Sequence, residues 1–319
     1  MSGALEKMIM NGILNIYKEA GYTSFDVVAK LRGILHEKKI GHTGTLDPDA
    51  TGVLPVCVGN ATKVCALLTD KDKEYEAVLQ LGLTSDTQDA TGQILRDRSD
   101  LLCTLTEDRV REVIMGFVGD YEQIPPMYSA LKVGGKKLCD LAREGIEVER
   151  KARLVHIYDI DIVQVDLPFV TMRVHCSKGT YIRTLCDDIG EMLGVGGLMK
   201  SLVRTRVSCF HIGQALTIAE VEEHRDNGTL DEIFLPVDGV FSEYPALHVA
   251  EMARKKLQNG NRLEISDLVD SDRAAVQLSE QETTEKMQKF RVYDASEKFY
   301  GIYGWDEERR DMKSIKMFM

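Results

Sequence analysis

The sequence predicts an α+β protein with a mixed, largely antiparallel sheet, followed by a small β-rich domain. Three observations carry this prediction. Short β-branched or alternating segments recur along the first two thirds of the chain, segments with helical periodicity separate some of them, and the last quarter contains mainly short strands. A length of 319 residues suits one large domain and a smaller one. We expect these at residues 1–240 and 245–319.

The first third of the chain should open with a strand at residues 12–18. Thr23 and Ser24 resemble a cap before a helix at 25–35, whose apolar residues recur at helical spacing. The following segments predict, in order, a buried strand at 53–58, a helix at 61–68, a partly alternating strand at 73–81 and a polar loop at 84–92.

The middle of the chain predicts a helix at 107–117 after a Thr106 cap. A basic excursion at residues 124–150 follows, and connections of that length are uncommon in compact domains unless they are functional or disordered. Strands are then expected at 153–165 and 169–176, and a helix that Gly194 ends.

The last part of the chain follows an acidic stretch at residues 219–238. It predicts one short helix at 248–259 and short strands, notably at 290–294 and 299–304. We interpret it as the small β-rich domain.

Composition argues against several protein classes. The chain is 44% hydrophobic and 29% charged, as is ordinary for a globular protein. It has no apolar run of membrane-span length and no secretory signal pattern at its start, so a cytoplasmic location is expected. The seven cysteines include no C-x-x-C pair, which argues against a structural zinc site and a disulfide framework.

The formal net charge of −11 at first disfavours a nucleic-acid partner, but the charges are unevenly distributed. Basic residues gather in two groups: Lys132, Lys136, Lys137, Arg143, Arg150, Lys151 and Arg153, and then Arg173, Lys178, Arg183, Lys200, Arg204 and Arg206. Either group alone is typical of a solvated face. Both beside one site would form a cationic track, as expected of a protein that binds structured RNA.

The segment GHTGTLDP at residues 41–48 is the most informative motif. Its glycines allow tight turns or close approach to a ligand, and Pro48 biases Asp47 toward an extended backbone. A single carboxylate on such a stiff loop suits a nucleophile. The same residue types also make ordinary surface turns, so the octapeptide alone leaves both interpretations open.

Two other residues could join Asp47 in one site. Tyr75 lies at a strand start, and Arg183 follows Tyr181 at a strand-to-helix junction. Taken singly, Tyr75 fits half-buried packing and Arg183 a structural ion pair. A buried carboxylate nevertheless needs a cation, and a neighbouring guanidinium would lower the pKa of Asp47 and keep it ionised.

Four motifs occur in order at residues 41–48 (GHTGTLDP), 73–75 (KEY), 124–132 (IPPMYSALK) and 179–185 (GTYIRTL). Together they closely resemble the bacterial TruB family of tRNA pseudouridine synthases. The resemblance runs from about residue 11 to about residue 210, with a weaker similarity to a PUA-like RNA-binding module at 290–318. It implies the pseudouridine synthase fold and isomerisation of the T-loop uridine 55 of tRNA, without metal or organic cofactor.

The resemblance also implies roles for individual residues. Asp47 matches the essential aspartate, Tyr75 the aromatic residue that packs on the target base and can act as a base, and Arg183 the arginine paired with the aspartate. Substrate-binding positions are matched by Tyr75 together with His42, Tyr181, Leu202 and Lys18. Around Lys18 the family usually has Asp-Lys-Pro, whereas this chain has Tyr-Lys-Glu.

The excursion at 124–150 resembles the family's thumb-like insertion that clamps the T stem-loop of tRNA. The resemblance implies RNA contacts by the basic residues Lys132, Lys136, Lys137 and Arg143. It further implies a monomer that acts on tRNA without an obligatory protein partner and without a membrane.

Three other hypotheses remain open at this stage. The chain could be a tRNA-folding chaperone whose chemistry is secondary or lost, although Asp47, Tyr75 and Arg183 are all retained. It could be a guide-RNA-dependent synthase, although the lysine-rich tail typical of that branch is missing from this sequence. A glycoside hydrolase normally needs two opposed carboxylates, and only Asp49 could be proposed beside Asp47.

Overall fold

A computed structural model describes residues 11–273 and 287–318. The helices in these ranges are α1 (Ser24–Leu35), α2 (Cys65–Thr69), α3 (Glu107–Met115), α4 (Leu138–Arg143), α5 (Ile182–Met192), α6 (Ile218–Asp226) and α7 (Arg254–Gln258). The strands are β1 (Gly12–Lys18), β2 (Ile40–His42), β3 (Thr51–Val58), β4 (Lys73–Leu81), β5 (Leu83–Ser85), β6 (Ile94–Asp97), β7 (Gly119–Gln123), β8 (Lys132–Val133), β9 (Lys136–Lys137), β10 (Arg153–Asp166), β11 (Phe169–Cys176), β12 (Gly197–Val207), β13 (Phe210–His211), β14 (Ala246–Val249), β15 (Lys289–Asp294), β16 (Phe299–Asp306) and β17 (Asp311–Met317).

A nine-stranded sheet in the order β1-β3-β12-β4-β11-β10-β7 forms the body of the protein, with β2 beside β3 and β13 beside β12. Its neighbouring strands run antiparallel except for β12 and β3. A four-stranded sheet, β14-β15-β16-β17, follows toward the C-terminus. The predicted α+β class with a largely antiparallel sheet is therefore confirmed. The division at residues 240–245 stays a prediction.

Apolar side chains cover the sheet in distinct clusters. The largest cluster packs α3 and α5 on β4, β10 and β11, and a second packs α1 and α6 on β1 and β3. A third cluster fills the C-terminal sheet. A fourth contains residues of β1, β3 and β16, and so joins the two sheets through buried contacts such as those of Ile13 and Ile302.

Helix α1 shows how the local sequence determines an element next to the site. Thr23 accepts a hydrogen bond from the backbone of Asp26, and the Asp26 side chain accepts one from the Thr23 backbone, so both partners of a capping box are present. Val27, Val28, Leu31, Ile34 and Leu35 all face the core. The start of α1 predicted from Thr23 and Ser24 is confirmed.

Several sequence predictions of elements need correction. Residues 61–68 form a 3-10 turn at Gly59–Val64 and then α2, and the loop predicted at 84–92 includes part of the β5–β6 hairpin. The helix expected at 248–259 begins later, because β14 occupies 246–249. Helix α6 lies inside the acidic stretch, and strand β17 also went unpredicted.

The most consequential miss is β12, a central strand of the sheet. Its pairing with β4 shifts register between Met199 and Ser201 and again between Arg204 and Arg206. Such bulges insert a residue and interrupt the alternation of apolar and polar side chains from which a strand is predicted.

None of the helices within 11–273 and 287–318 has the length and apolar character needed to cross a membrane.

Candidate active site

The Asp47 loop connects β2 to β3 and is held by hydrogen bonds to α1 and β1. The Leu46 amide donates to the Ser24 hydroxyl over 2.9 Å at the start of α1. From β1, Lys18 Nζ donates to the carbonyls of Pro48 and Ala50 over 2.8 and 2.6 Å. These bonds hold the backbone on either side of Asp47, so its carboxylate is presented from a fixed frame.

Lys18 is buried beside the Asp47 loop. Its residue is 0% exposed, and its ammonium also donates to the Glu19 carbonyl over 3.1 Å. Burial lowers the pKa of Lys18 to about 8, since it penalises the charged form. Lys18 therefore holds the Asp47 loop from the β1 side. A direct contact between Lys18 and substrate stays a prediction.

Asp47 and Arg183 form the central pair of the site. Arg183 Nε lies 3.0 Å from Asp47 Oδ2, and Arg183 Nη2 donates to Asp47 Oδ1 over 3.3 Å. The Arg183 side chain is 7% exposed, whereas the Asp47 side chain keeps 41% of its surface open to solvent. This bidentate geometry orients both carboxylate oxygens and leaves one side of Asp47 accessible.

Arg183 is itself held by two further segments. Its Nη1 donates to the Thr87 carbonyl over 3.2 Å, and its Nη2 donates to the Tyr128 carbonyl over 2.9 Å. Asp89 lies 3.7 Å from Nη1. The start of α5, the β5–β6 hairpin and the base of the excursion therefore meet at one guanidinium.

Burial raises the pKa of the Asp47 carboxyl, and Arg183 opposes this effect without cancelling it. Asp89 and Asp49 raise the pKa further, and Lys18 lowers it. The expected local influence of Arg183 is present. Desolvation is nevertheless the larger effect, so the net direction of the pKa shift is upward.

Tyr75 lies within β4, at the edge of the main apolar cluster. Its cross-strand neighbours are Val174 on β11 and Arg204 on β12. Burial raises the pKa of the Tyr75 hydroxyl, whereas the Arg204 guanidinium, which is hydrogen bonded to it, acts in the opposite direction. The Asp47 carboxylate also raises the pKa of this hydroxyl, so the two groups lie close enough to interact electrostatically.

The other predicted substrate-binding residues lie on elements that adjoin the Asp47 loop, α5 and β4. Tyr181 precedes α5, and its backbone exchanges two hydrogen bonds with the Gln123 side chain, of 2.7 and 3.0 Å. His42 accepts from the Gly44 amide over 3.3 Å, and burial lowers the pKa of its imidazole. Leu202 is 8% exposed and pairs with Ala77 across the strands.

The excursion at 124–150 forms the β8–β9 ribbon followed by α4, and its base is closed where Arg150 Nη1 donates to the Pro125 carbonyl over 3.1 Å. Lys132 and Lys137 are exposed and directly opposite each other across the ribbon. Lys136 pairs with Glu144 at 3.3 Å and Arg143 with Asp140 at 3.6 Å.

The four arginines of the second basic group are buried or paired with a carboxylate. Arg183 and Arg204 are buried in the site. Arg173 pairs with Glu76 at 3.0 Å, and Arg206 pairs with Asp72 at 3.0 Å. Because of this burial and pairing, these four arginines do not act as unneutralised surface cations.

Sequence reasoning missed Arg204 and Gln123 as parts of the site. Arg204 was assigned to the basic surface group, and the only signal for its burial was its position two residues after Leu202. Gln123 carried no signal, because its role depends on a contact with Tyr181, 58 residues away. Among the described residues, no group of three or more His, Cys, Asp or Glu side chains is arranged to hold a metal ion.

Comparison with known proteins shows what this site belongs to. Residues 32–182 match the N-terminal domain of TruB family pseudouridylate synthases, and residues 183–242 match the C-terminal domain of tRNA pseudouridylate synthase B. The tRNA pseudouridine synthase B of Lachnoclostridium phytofermentans is 54% identical over 97% of this chain and 100% of its own length. The chain belongs to the TruB family. It is a pseudouridine synthase, which is an isomerase.

Other TruB relatives show the same breadth of similarity. The tRNA pseudouridine synthase B of Clostridium acetobutylicum is 44% identical over 97% of this chain and 99% of its own length. Among solved structures, one protein from a Cbf5-Nop10-Gar1 complex superposes with a TM-score of 0.72 at 25% identity, covering 98% of this chain and 87% of that one. A chain from an H/ACA RNP bound to a substrate RNA has a TM-score of 0.70 at 22% identity, over 97% of this chain and 85% of that one. The fold is therefore shared beyond the TruB relatives.

Proposed function

We propose that this enzyme converts the T-loop uridine 55 of tRNA to pseudouridine, with Asp47 acting at the sugar. The observation that carries the proposal is the half-exposed Asp47 carboxylate held by the buried Arg183 fork at 3.0 and 3.3 Å. The relatives that are 42–54% identical are named tRNA pseudouridine synthase B, which supports tRNA as the substrate. We further propose that the enzyme acts in the cytoplasm.

The chemistry requires an extruded base. A uridine inside a folded loop cannot reach Asp47, and flipping it costs a few kcal/mol. Stacking on an aromatic side chain returns about 1–3 kcal/mol, and we assign this role to Tyr75. A pocket lined by Tyr75, Tyr181 and Leu202 would keep the detached uracil from escaping.

Asp47 would promote departure of N1 from C1′, either by attacking C1′ or through a glycal. The uracil then turns and its C5=C6 electron pair forms the C5–C1′ bond, while an electron pair of N1 forms C6=N1. In the first route this breaks the Asp47–C1′ bond, and in the glycal route Asp47 returns to C2′ the proton that it had taken. Tyr75 as phenolate would take the proton from C5. The C5–H electron pair becomes the C5=C6 double bond, and the C6=N1 pair moves to N1, which takes a proton from water.

The excursion supports RNA as the substrate class. Lys132 and Lys137 lie directly opposite each other, and like charges in that position destabilise a β-ribbon unless an anion lies nearby. A phosphate of the T stem would relieve this repulsion while fixing the position of the RNA. We propose that the C-terminal sheet adds a PUA-like RNA contact, as the weak resemblance at 290–318 suggests.

The test is tritium release from an unmodified tRNA transcript labelled at uracil C5, because bond formation at C5 expels that hydrogen. We expect about one equivalent released per tRNA, and release abolished by Asp47→Asn while tRNA binding survives. A transcript with cytidine at the target position is the control. Asp47→Asn activity within tenfold of wild type would remove Asp47 from its assigned role.

The same assay separates the alternatives. Salt-sensitive tRNA binding without tritium release would support a folding chaperone. Release only with an added guide RNA would indicate the guide-dependent class, which the 22–25% identity to the H/ACA and Cbf5 proteins disfavours relative to the tRNA-named relatives. Rescue of tRNA folding by Asp47→Asn would show that chaperone and synthase roles coexist.

A further inference from the structure

Arg204 is a fully buried cation at the centre of the molecule. It lies on β12 with 1% of its surface exposed. On one side it pairs with Tyr75 of β4, and on the other with Gly52 of β3. Its strand position therefore places it between the aromatic residue of the site and the strand that follows the Asp47 loop.

The partners of Arg204 are neutral. Its Nε donates to the Val53 carbonyl over 2.7 Å, its Nη2 donates to the Gly44 carbonyl over 3.3 Å, and it contacts the Tyr75 hydroxyl. Within the described ranges, no carboxylate oxygen lies within 4.0 Å of its nitrogens. A buried cation without a carboxylate beside it acts on its neighbours with an unneutralised charge.

Gly44 of the Asp47 loop and Gly52 of β3 both lie against Arg204. Gly52 has φ +105°, and a Cβ there would lie 2.2 Å from the Arg204 carbonyl oxygen. Gly44 has φ +144°, and its Cβ would lie 3.7 Å from Arg204 Nη1. The loop and Arg204 are therefore packed backbone to backbone, with no room for a side chain at position 52.

We propose that Arg204 is a positioning residue that fixes the Tyr75 hydroxyl relative to the Asp47 loop and stabilises Tyr75 as the phenolate that accepts the C5 proton. The proton acceptor role rests on the proposed function, whereas the effect of Arg204 on Tyr75 is a property of the protein alone. The charge acts through Tyr75, because Arg204 is sealed from the substrate side.

The charged and titratable groups around Tyr75 decide the sign of the effect. Arg204 of β12 lowers the pKa of Tyr75, whereas Cys176 of β11 and the Asp47 carboxylate raise it. Lys73, on the same strand, is a buried amine whose own pKa is lowered to about 8. Removing the Arg204 charge should therefore raise the pKa of Tyr75, and only a smaller fraction would be phenolate at neutral pH.

The direct test replaces Tyr75 by 3-fluorotyrosine in the full-length protein and follows its ¹⁹F resonance against pH, without RNA. Arg204→Gln keeps a hydrogen-bond donor but removes the charge, and we expect the midpoint to rise by about one pH unit or more. Arg206→Met is the matched control, since it removes an arginine two residues away whose partners are Asp72 and Glu74. Its midpoint should stay at the wild-type value. An equal midpoint in Arg204→Gln and wild type would overturn the proposal.

A second variant covers the case in which Arg204→Gln does not fold. Arg204→Lys keeps the charge but cannot bond Val53, Gly44 and Tyr75 together, so its midpoint should remain near wild type while single-turnover tritium release slows about tenfold. Wild-type release by Arg204→Lys would refute the positioning role. If wild type releases tritium but the fluorotyrosine midpoint of Arg204→Gln equals that of wild type, only this inference is refuted. If wild type releases no tritium but the midpoint of Arg204→Gln is shifted, only the proposed function is refuted.

Discussion

Arg204 and Arg206 lie two residues apart on one strand, yet they face opposite surroundings. Arg204 is buried beside Tyr75 and donates to backbone carbonyls, whereas Arg206 lies opposite Glu74 and pairs with Asp72 at 3.0 Å. The bulge at Thr205 separates them, because it shifts the register between the two residues. Carbonyl partners leave the charge of Arg204 intact, whereas carboxylate partners cancel that of Arg206. The number of arginines near a site therefore says little about its electrostatic field.

Among the arginines near the site, substitution of Arg183, the partner of Asp47, should have the largest effect on activity. Arg183→Lys preserves the charge but loses the two-pronged contact and the bonds to Thr87 and Tyr128. We expect single-turnover tritium release to fall about 100-fold, since losing a buried ion-pair partner costs about 3–5 kcal/mol and Lys recovers part of that. Arg206→Lys is the matched control. Near-normal activity of Arg183→Lys would mean that charge alone suffices.

The pH dependence of the reaction tests whether burial or the Arg183 charge dominates the pKa of Asp47. Burial raises the pKa of Asp47, and the proposed chemistry needs the ionised carboxylate. Acidification should therefore inhibit the enzyme earlier than an ordinary aspartate with a pKa of about 3.9 would allow, with about a tenfold loss per pH unit below the midpoint. Single-turnover rates between pH 4 and pH 8 measure this. A rate that stays flat down to about pH 4 would contradict the dominance of burial over Arg183.

The excursion offers a comparison between neutralised and unneutralised cations. Lys132→Gln with Lys137→Gln removes two opposed cations without carboxylate partners among the described residues, so tRNA affinity should fall about tenfold. The slope of log affinity against log salt should decrease by about 2. Lys136→Gln with Arg143→Gln removes cations already paired with Glu144 and Asp140 and should change the slope less. Equal slopes for the two double variants would show that these ion pairs do not compete with RNA.

Substitution of the exposed Arg173 should have the smallest effect on stability and on tRNA binding. Arg173 is 51% exposed and pairs with Glu76, so Arg173→Met should change the free energy of unfolding by less than about 1 kcal/mol. tRNA affinity should stay within about twofold of wild type. Chemical denaturation and a binding titration check both. A several-fold loss of tRNA affinity in Arg173→Met would indicate that the second basic group contributes to RNA binding.

The sequence was most informative where function depends on local chemistry. Asp47, Tyr75 and Arg183 were singled out from their motifs, and the strand at Lys73–Leu81 has its predicted bounds. The α+β class followed from periodicity. The prediction that Asp47, Tyr75 and Arg183 meet in one site depended on the family resemblance, because sequence periodicity does not report a contact between residues 136 positions apart.

The missed features have physical reasons. Lys18 and Arg204 were interpreted as groups that meet the substrate or RNA, but their burial depends on packing between β1, β3 and β12. Because Arg204 bonds to backbone carbonyls, no acidic residue in the sequence signals that this arginine is buried. The bulges in β12 hid the strand itself by breaking its alternation.

The three-way junction at Arg183 has a consequence for how the protein folds. Its bonds to Asp47, Thr87 and Tyr128 span 136, 96 and 55 residues of chain. Closing loops of that length costs entropy before any contact repays it, so none of these bonds can persist in a locally folded fragment. Activity recovered after dilution from denaturant should therefore follow completion of the whole sheet and not any single helix or hairpin.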